Sequence, residues 1–159
     1  MAVLRLDLPT LRSGHNRADE VVPPDALDLP KGDWPVPLDV ELDADRLGDQ
    51  VTVAVRVRTE SQEECARCLK EFRAPLDFGL TLYADRAGTG GRHEKELAES
   101  DDVVFHDGRH IDLAEPVREA TLLARPSAPL CRPECQGLCP RCGADRNEGP
   151  CPHAAEARA

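Results

Sequence analysis

The sequence predicts a mainly β (α+β) fold, in which an antiparallel sheet carries one helix and a C-terminal Cys-rich segment. Three observations support this prediction. Apolar residues alternate with polar ones in several runs, as they do in a half-buried strand. One stretch near the C-terminal end has apolar residues at helical spacing. Five of the seven cysteines lie in residues 130–153, where few apolar residues are available to form a core.

The 159 residues suffice for one domain with a modest core and an appended small unit. We expect an N-terminal strand and extended connector over residues 1–35, and an antiparallel β domain over residues 36–125. A Cys-rich metal-binding tail, argued below, is expected over residues 126–159. Because aromatic residues make up only 3% of the chain, the core should consist of Val, Leu and Ala side chains.

The N-terminal part begins with an alternating run, Val3–Leu8, which predicts a short strand. Pro9 and the turn-forming residues at positions 13–16 are expected to end this strand. Residues 21–31 contain three prolines and therefore predict an extended connector.

The central part predicts three strands, of which the last two are long and neighbouring. Residues 38–42 alternate cleanly, and the polar residues 43–49 are expected to break that strand. Val51–Thr59 is the clearest strand, because its four valines share one face. Residues 72–83 supply the next strand. We expect these last two to pair antiparallel, with Cys65 and Cys68 at the turn between them.

A charged, Gly-containing loop is expected at residues 85–100, followed by a hairpin at residues 102–112. Asp107-Gly108 is a type I′ turn signature between two short apolar runs. His106 and His110 would flank that turn, facing solvent or each other rather than a metal.

The one predicted helix covers residues 113–124. Asp112 can cap it, and Glu115 and Pro116 suit its first turn. Pro126 should end it. Its apolar face is expected to comprise Leu113, Val117, Ala120 and either Leu123 or Ala124.

The Cys-rich tail contains Cys139-Pro-Arg-Cys142-Gly143, the pattern of a zinc knuckle, in which two thiolates two residues apart bind one tetrahedral ion. This pattern predicts a zinc-ribbon-like segment. A disulfide framework is disfavoured by the odd cysteine count and by an N-terminus without an apolar signal segment. A redox CxxC is disfavoured because an irregular polar segment, not a helix, follows the motif.

Eight residues are candidate metal ligands, and structural zinc takes four. The spacing groups the last four together and joins the two early cysteines to the first two of the tail, although one zinc with free cysteines, or crossed pairing, remains possible. Any such site is closed by protein ligands, so we expect one or two structural zinc ions. The candidates are Cys65, Cys68, Cys131, Cys135, Cys139, Cys142, Cys151 and His153.

The net charge of −10 and pI near 4.9 disfavour a partner bound through its phosphates. They favour a basic protein instead. Four arginines of the Cys-rich regions leave a direct RNA contact open: Arg67, Arg132, Arg141 and Arg146. No stretch is long and apolar enough for a membrane span, and we expect a cytoplasmic protein.

Three segments resemble the YceD family of bacterial and plastid proteins, which is named for large ribosomal RNA subunit accumulation. They are Glu64–Leu69 after the Val-rich strand, His110–Leu113 at the helix start, and Leu130–Gly143 in the tail. The resemblance covers most of the chain from Val36 to His153. It implies a cytoplasmic role in large-subunit ribosomal RNA accumulation and ribosome assembly.

We therefore expect a non-enzymatic factor that binds a basic ribosomal protein, large-subunit rRNA, or both, with no small-molecule substrate. The sequence contains no Ser/His/Asp set, HExxH motif or P-loop. The alternatives are a CxxC thiol oxidoreductase and a zinc-ribbon RNA-binding module of unrelated role.

Overall fold

The computed structural model describes residues 4–88, 100 and 102–153. Its elements are mostly strands, with one α-helix among the described residues. In chain order they are β1 (Arg5–Asp7), β2 (Gly14–Val22), β3 (Leu38–Leu47), β4 (Gln50–Glu64), β5 (Glu71–Arg86), β6 (Val103–His106), β7 (His110–Asp112) and α1 (Ala114–Leu123). Short 3-10 turns lie at Leu8–Thr10 and Pro24–Leu27.

Five strands form one sheet in the order β2-β3-β4-β5-β6. The first four pair antiparallel, whereas β6 runs parallel to β5. Strands β1 and β7 form a separate two-stranded antiparallel sheet. The mainly β fold with one helix is confirmed, and the sheet is mixed at its β6 edge.

The core lies on one face of the large sheet. Every second residue of β4 is buried from Val51 to Val57, as the alternation predicts. The small sheet contributes Ile111, and α1 contributes Val117, to the same apolar cluster. The opposite face of the large sheet is mostly exposed along β3, β4 and β5.

The first strand ends before Pro9 as expected, at Asp7, but the sequence did not predict the nine-residue strand Gly14–Val22, which pairs with β3. This strand lies at the sheet edge and is largely exposed, so it lacks the apolar alternation that marks a half-buried strand. The break expected at residues 43–49 is confined to Gly48 and Asp49. Strand β3 continues to Leu47 because Ala44 is buried between outward-facing aspartates.

The predicted hairpin at residues 102–112 is wrong, since β6 and β7 lie in different sheets. Side chains form the turn instead: Asp107 Oδ1 accepts hydrogen bonds from the amides of Arg109 and His110. His106 is buried, and its Nε2 lies 2.8 Å from the Asp49 carbonyl oxygen. It therefore faces neither solvent nor His110. The loop expected at residues 85–100 lies mostly outside the described residues.

The helix begins as predicted, with the Asp112 carboxylate accepting a hydrogen bond from the Ala114 amide. Val117 is buried as expected, but Leu123 is 84% exposed. Thr121 occupies the buried position instead. Its hydroxyl donates to the Val117 carbonyl oxygen at 2.6 Å, which satisfies the buried polar group. No helix of the described residues is long and apolar enough to cross a bilayer.

Candidate metal centre

The first cysteine pair lies at the far tip of the β4–β5 hairpin. The register of the two strands runs to Glu64 opposite Glu71, so residues 65–70 form the turn. The Leu69 amide donates to the Cys65 carbonyl oxygen at 2.9 Å and closes a knuckle. Leu69 adopts φ of 60°, a left-handed conformation that favours glycine, and its side chain is 57% exposed.

The tail reaches this hairpin tip and adds two more thiols. The Ala66 amide donates to the Pro129 carbonyl oxygen at 2.8 Å, which aligns the tail with the turn. Cys65 and Cys68 then lie beside Cys135 and Cys131, and both Sγ–Sγ distances are 3.7 Å. All four ligand atoms lie within 4.8 Å of one another.

These sulfur separations fit a metal ion. A tetrahedral site with Zn–S bonds of about 2.3 Å has S–S edges of about 3.8 Å. A disulfide bond would bring the sulfurs to about 2.05 Å. All seven cysteines are free thiols in this fold, so the arrangement can hold a cation through thiolates.

Amides favour the thiolate form of Cys65 and Cys135, two of the four cysteines at the hairpin tip. The amide of Cys131 is the main cause that lowers the pKa of Cys65 to about 6, against the opposing effect of burial. For Cys135, burial has the largest effect and raises the pKa. The amides of Gly137 and Asn147 nevertheless bring the pKa of Cys135 below its usual value. Thiolates stabilised in this way are metal ligands.

Burial is the main cause that raises the pKa of Cys131 to about 12. The Lys70 amide lowers the pKa of Cys68, but burial and the hydrogen bonds that Cys68 shares with Cys65 and Cys135 raise it above its usual value.

The second group is local to the tail and comprises Cys139, Cys142, Cys151 and His153, again within 4.8 Å. Gly143 adopts φ of 73° and donates its amide to the Cys139 carbonyl oxygen. The amides of Cys142 and Arg141 are the main causes that lower the pKa of Cys139 to about 6.

His153 gives a separate indication of a metal. Its Nδ1 is buried and has no hydrogen-bond partner among the described residues. A buried polar atom without a partner is unfavourable unless something else satisfies it. A cation bound by the surrounding thiolates would satisfy the ring.

The two groups are joined by a short segment of the tail. The Leu138 amide donates to the Arg67 carbonyl oxygen at 3.1 Å. The Asn147 side chain lies between the groups, with Nδ2 3.5 Å from Cys135 Sγ and 2.7 Å from Asp145 Oδ1. Asp145 also forms an ion pair with Lys70 at 2.7 Å. The two groups therefore form one connected end of the molecule.

All eight candidate ligands are brought together, in the two groups of four that the spacing favours. The crossed arrangement does not occur, since Cys131 and Cys135 lie beside the hairpin cysteines. Metal binding by these residues stays a prediction. Sequence reasoning missed Asn147 and the Lys70–Asp145 pair, because contacts between separate loops leave no periodic signal.

Comparison with known proteins connects the chain to one family. The model of the family described as large ribosomal RNA subunit accumulation protein YceD matches residues 53–159. An uncharacterized protein of Mycobacterium tuberculosis is 37% identical over 109 residues, which are 67% of this chain and 50% of that protein. An uncharacterized protein of Mycobacterium leprae is 31% identical over 120 residues, 74% of this chain and 52% of that protein.

The chain spans about half the length of the curated relatives it matches. No solved structure matches the chain.

Proposed function

The chain belongs to the YceD family, and on that premise we propose that it is a non-enzymatic factor that supports accumulation of large-subunit ribosomal RNA during ribosome assembly. Family membership is the observation that carries the proposal. In this role the protein acts by binding a component of the assembling subunit in the cytoplasm.

The metal in this proposal is zinc, with one ion in each group of four ligands. Four cysteines in one group, and three cysteines with one histidine in the other, favour zinc over metals that prefer oxygen ligands. Four protein ligands leave no open coordination position for water, so each ion is structural. The ion bound by Cys65, Cys68, Cys131 and Cys135 would hold the tail to the hairpin tip, and the second ion would order the tail itself.

The proposed partner is a basic ribosomal protein. The net charge of −10 is the observation that favours it, because an acidic surface attracts a basic protein and repels RNA phosphates. A second candidate is direct contact with ribosomal RNA through the Cys-rich end. Exposed Arg132 and Arg141 favour this candidate locally.

The direct test is deletion of the gene in its host, with large- and small-subunit rRNA quantified from total RNA. The expected result is a lower ratio of large- to small-subunit rRNA, restored by the wild-type chain. An unchanged ratio in the deletion strain would refute the proposed function.

The choice of partner is tested by affinity purification at low salt, with proteins and RNA identified from the same eluate. Enrichment of basic ribosomal proteins that survives ribonuclease treatment supports the protein partner. RNA retained by purified protein, with affinity falling steeply as salt rises, would support the second candidate instead.

A further inference from the structure

We propose that the exposed face of the large sheet is a docking surface for a basic, extended protein segment with an apolar anchor side chain. This inference rests on the proposed function, because it names the surface that would bind the proposed basic protein. That surface lies on strands β2–β5, away from the cysteine groups.

An acidic row runs along β3 on this face. Outward-pointing positions alternate along a strand, and in β3 all of them from residue 39 to residue 45 are acidic: Asp39, Glu41, Asp43 and Asp45. Alternate residues of a strand lie about 6.6–6.8 Å apart. An extended partner with basic side chains at every second position has the same spacing, so the charges match in register.

Part of this charge is available to a partner. Glu41 is already neutralised by Arg58 at 2.8 Å, and Asp43 lies 3.4 Å from His15. Asp39 and Asp45 are exposed and form no ion pair or side-chain hydrogen bond with any of the residues that the structure describes. These two carboxylates are the contacts that a basic side chain can make without displacing an existing pair.

An apolar cleft of about 580 Å³ continues the acidic row at one end. Its apolar lining comes mainly from Val21, Val36, Pro37 and Pro75. Its one cation, Arg58, is already paired with Glu41. The charged lining is mostly acidic: Asp39, Glu60, Asp77 and Arg58. Val21 is 65% exposed on the edge strand, where nothing in the described parts of the chain covers it. A cleft of this size accepts one large apolar side chain, which would add burial to the charge contacts.

The middle of the face carries two small exposed residues, Ala54 and Gly79. Arg56 lies opposite Gly79 in the register and is paired with Asp77 at 2.8 Å, so, among the described residues, the unpaired charge of the face is on β3. The sign of the charge disfavours two other occupants. Phosphates would be repelled by the aspartates, and a second copy of a chain with net charge −10 would place like charges together.

The test uses the zinc-loaded full chain and a synthetic ten-residue peptide with alternating Lys and Val as the probe. The matched peptide with Glu in place of Lys is the control ligand. We expect the Lys peptide to bind at low salt and to shift backbone amide NMR signals of β3 and the cleft. The Glu peptide should not bind. Absence of Lys-peptide binding, or shifts confined to the Cys-rich end, would overturn the proposal.

Variants separate local contacts from overall charge. The double variant Asp39→Asn, Asp45→Asn should bind the Lys peptide about five- to tenfold more weakly, as expected for the loss of two exposed charge contacts. The control Glu119→Gln, Glu134→Gln removes the same charge from exposed positions off this face and should change binding less than about twofold. Equal losses in both variants would overturn the proposal, as would binding of polyuridine, or self-association, through this face.

The same variants distinguish this proposal from the proposed function. In the deletion strain, the Asp39→Asn, Asp45→Asn variant should fail to restore the rRNA ratio, whereas the control variant should restore it. Full restoration by both would refute the docking surface and leave the proposed function intact. If the Lys peptide binds this face but deletion of the gene leaves the rRNA ratio unchanged, the docking surface is supported and the proposed function is refuted.

Discussion

Removal of one ligand at the hairpin tip should release the whole tail. The change is Cys68→Ser, which disrupts the group shared between hairpin and tail. Cys142→Ser, in the group that is local to the tail, is the matched control. Each variant should lose one zinc ion, but only Cys68→Ser should detach the tail from the sheet.

The size of this effect depends on the other contacts that hold residues 129–139 against the hairpin tip. Three hydrogen bonds join it to the hairpin tip: the Ala66 and Leu138 backbone bonds and the bond from Arg67 Nη1 to the Cys135 carbonyl oxygen. At about 1 kcal/mol each they contribute about 3 kcal/mol. The half-buried Leu130 and Leu138 add about 3 kcal/mol through apolar burial. The ion pair between Lys70 and Asp145 adds little, because the Lys70 side chain is exposed to solvent.

Ordering some ten residues costs about 10–20 kcal/mol of conformational entropy. The contacts alone therefore fall short by about 3 kcal/mol or more. A structural zinc ion contributes about 10–16 kcal/mol, which makes the docked tail favourable. Without the ion, the undocked tail should outweigh the docked one by about a hundredfold.

Amide hydrogen exchange measures whether the tail is docked, and native mass spectrometry measures how many zinc ions each variant holds. In Cys68→Ser the Leu138 amide should lose its protection, while amides in the middle of β4 keep theirs. In Cys142→Ser the Leu138 amide should stay protected. Two bound zinc ions in Cys68→Ser, or an unchanged Leu138 exchange rate, would refute the reasoning.

Three further predictions concern stability, each measured by urea unfolding of zinc-saturated protein. Gly137→Ala should lower the free energy of unfolding by about 2 kcal/mol, because φ is 72° and the new Cβ would lie 3.0 Å from the Arg67 carbonyl oxygen. Gly143→Ala, with φ of 73° and open space around it, should cost only about 1 kcal/mol, and equal losses would contradict the contact argument. Arg125→Met should cost about 2–3 kcal/mol, since it removes the guanidinium from Glu63, whose side chain is 7% exposed; a neutral effect would contradict this. Its hydrogen bond to Arg125 is the main cause that holds the pKa of Glu63 below its usual range, so the pair stabilises the fold above about pH 4.3 and loses that contribution as pH falls through the lowered pKa. The stability advantage of wild type over Glu63→Gln should shrink in that acidic range and stay constant above it.

The sequence predicted those parts of the fold in which one face of a strand is buried, because apolar residues then recur at every second position. The four valines of β4 alternate because one face of the strand is in the core. The edge strand β2 has no buried face over most of its length, and its polar residues gave no such signal. The turn at Asp107 was misjudged because its side chain replaced the backbone bonds of a hairpin.

The candidate site was predictable to the level of ligand spacing. The two cysteines of a CxxC are close enough in sequence to bind the same ion. The β4–β5 hairpin then places Cys65 and Cys68 beside the tail. The partners that orient the ligands were not predictable. Asn147 reaches Cys135 only because the two groups fold against each other, and that contact depends on tertiary structure.

The most direct test of the central claim is the zinc stoichiometry of the purified full chain by native mass spectrometry, with reactive thiols counted on the same sample. Two zinc ions per chain and no reactive thiols are predicted, because all eight ligands are engaged. One zinc ion with free thiols would contradict the paired sites, and no zinc with oxidised cysteines would overturn the structural-metal account altogether.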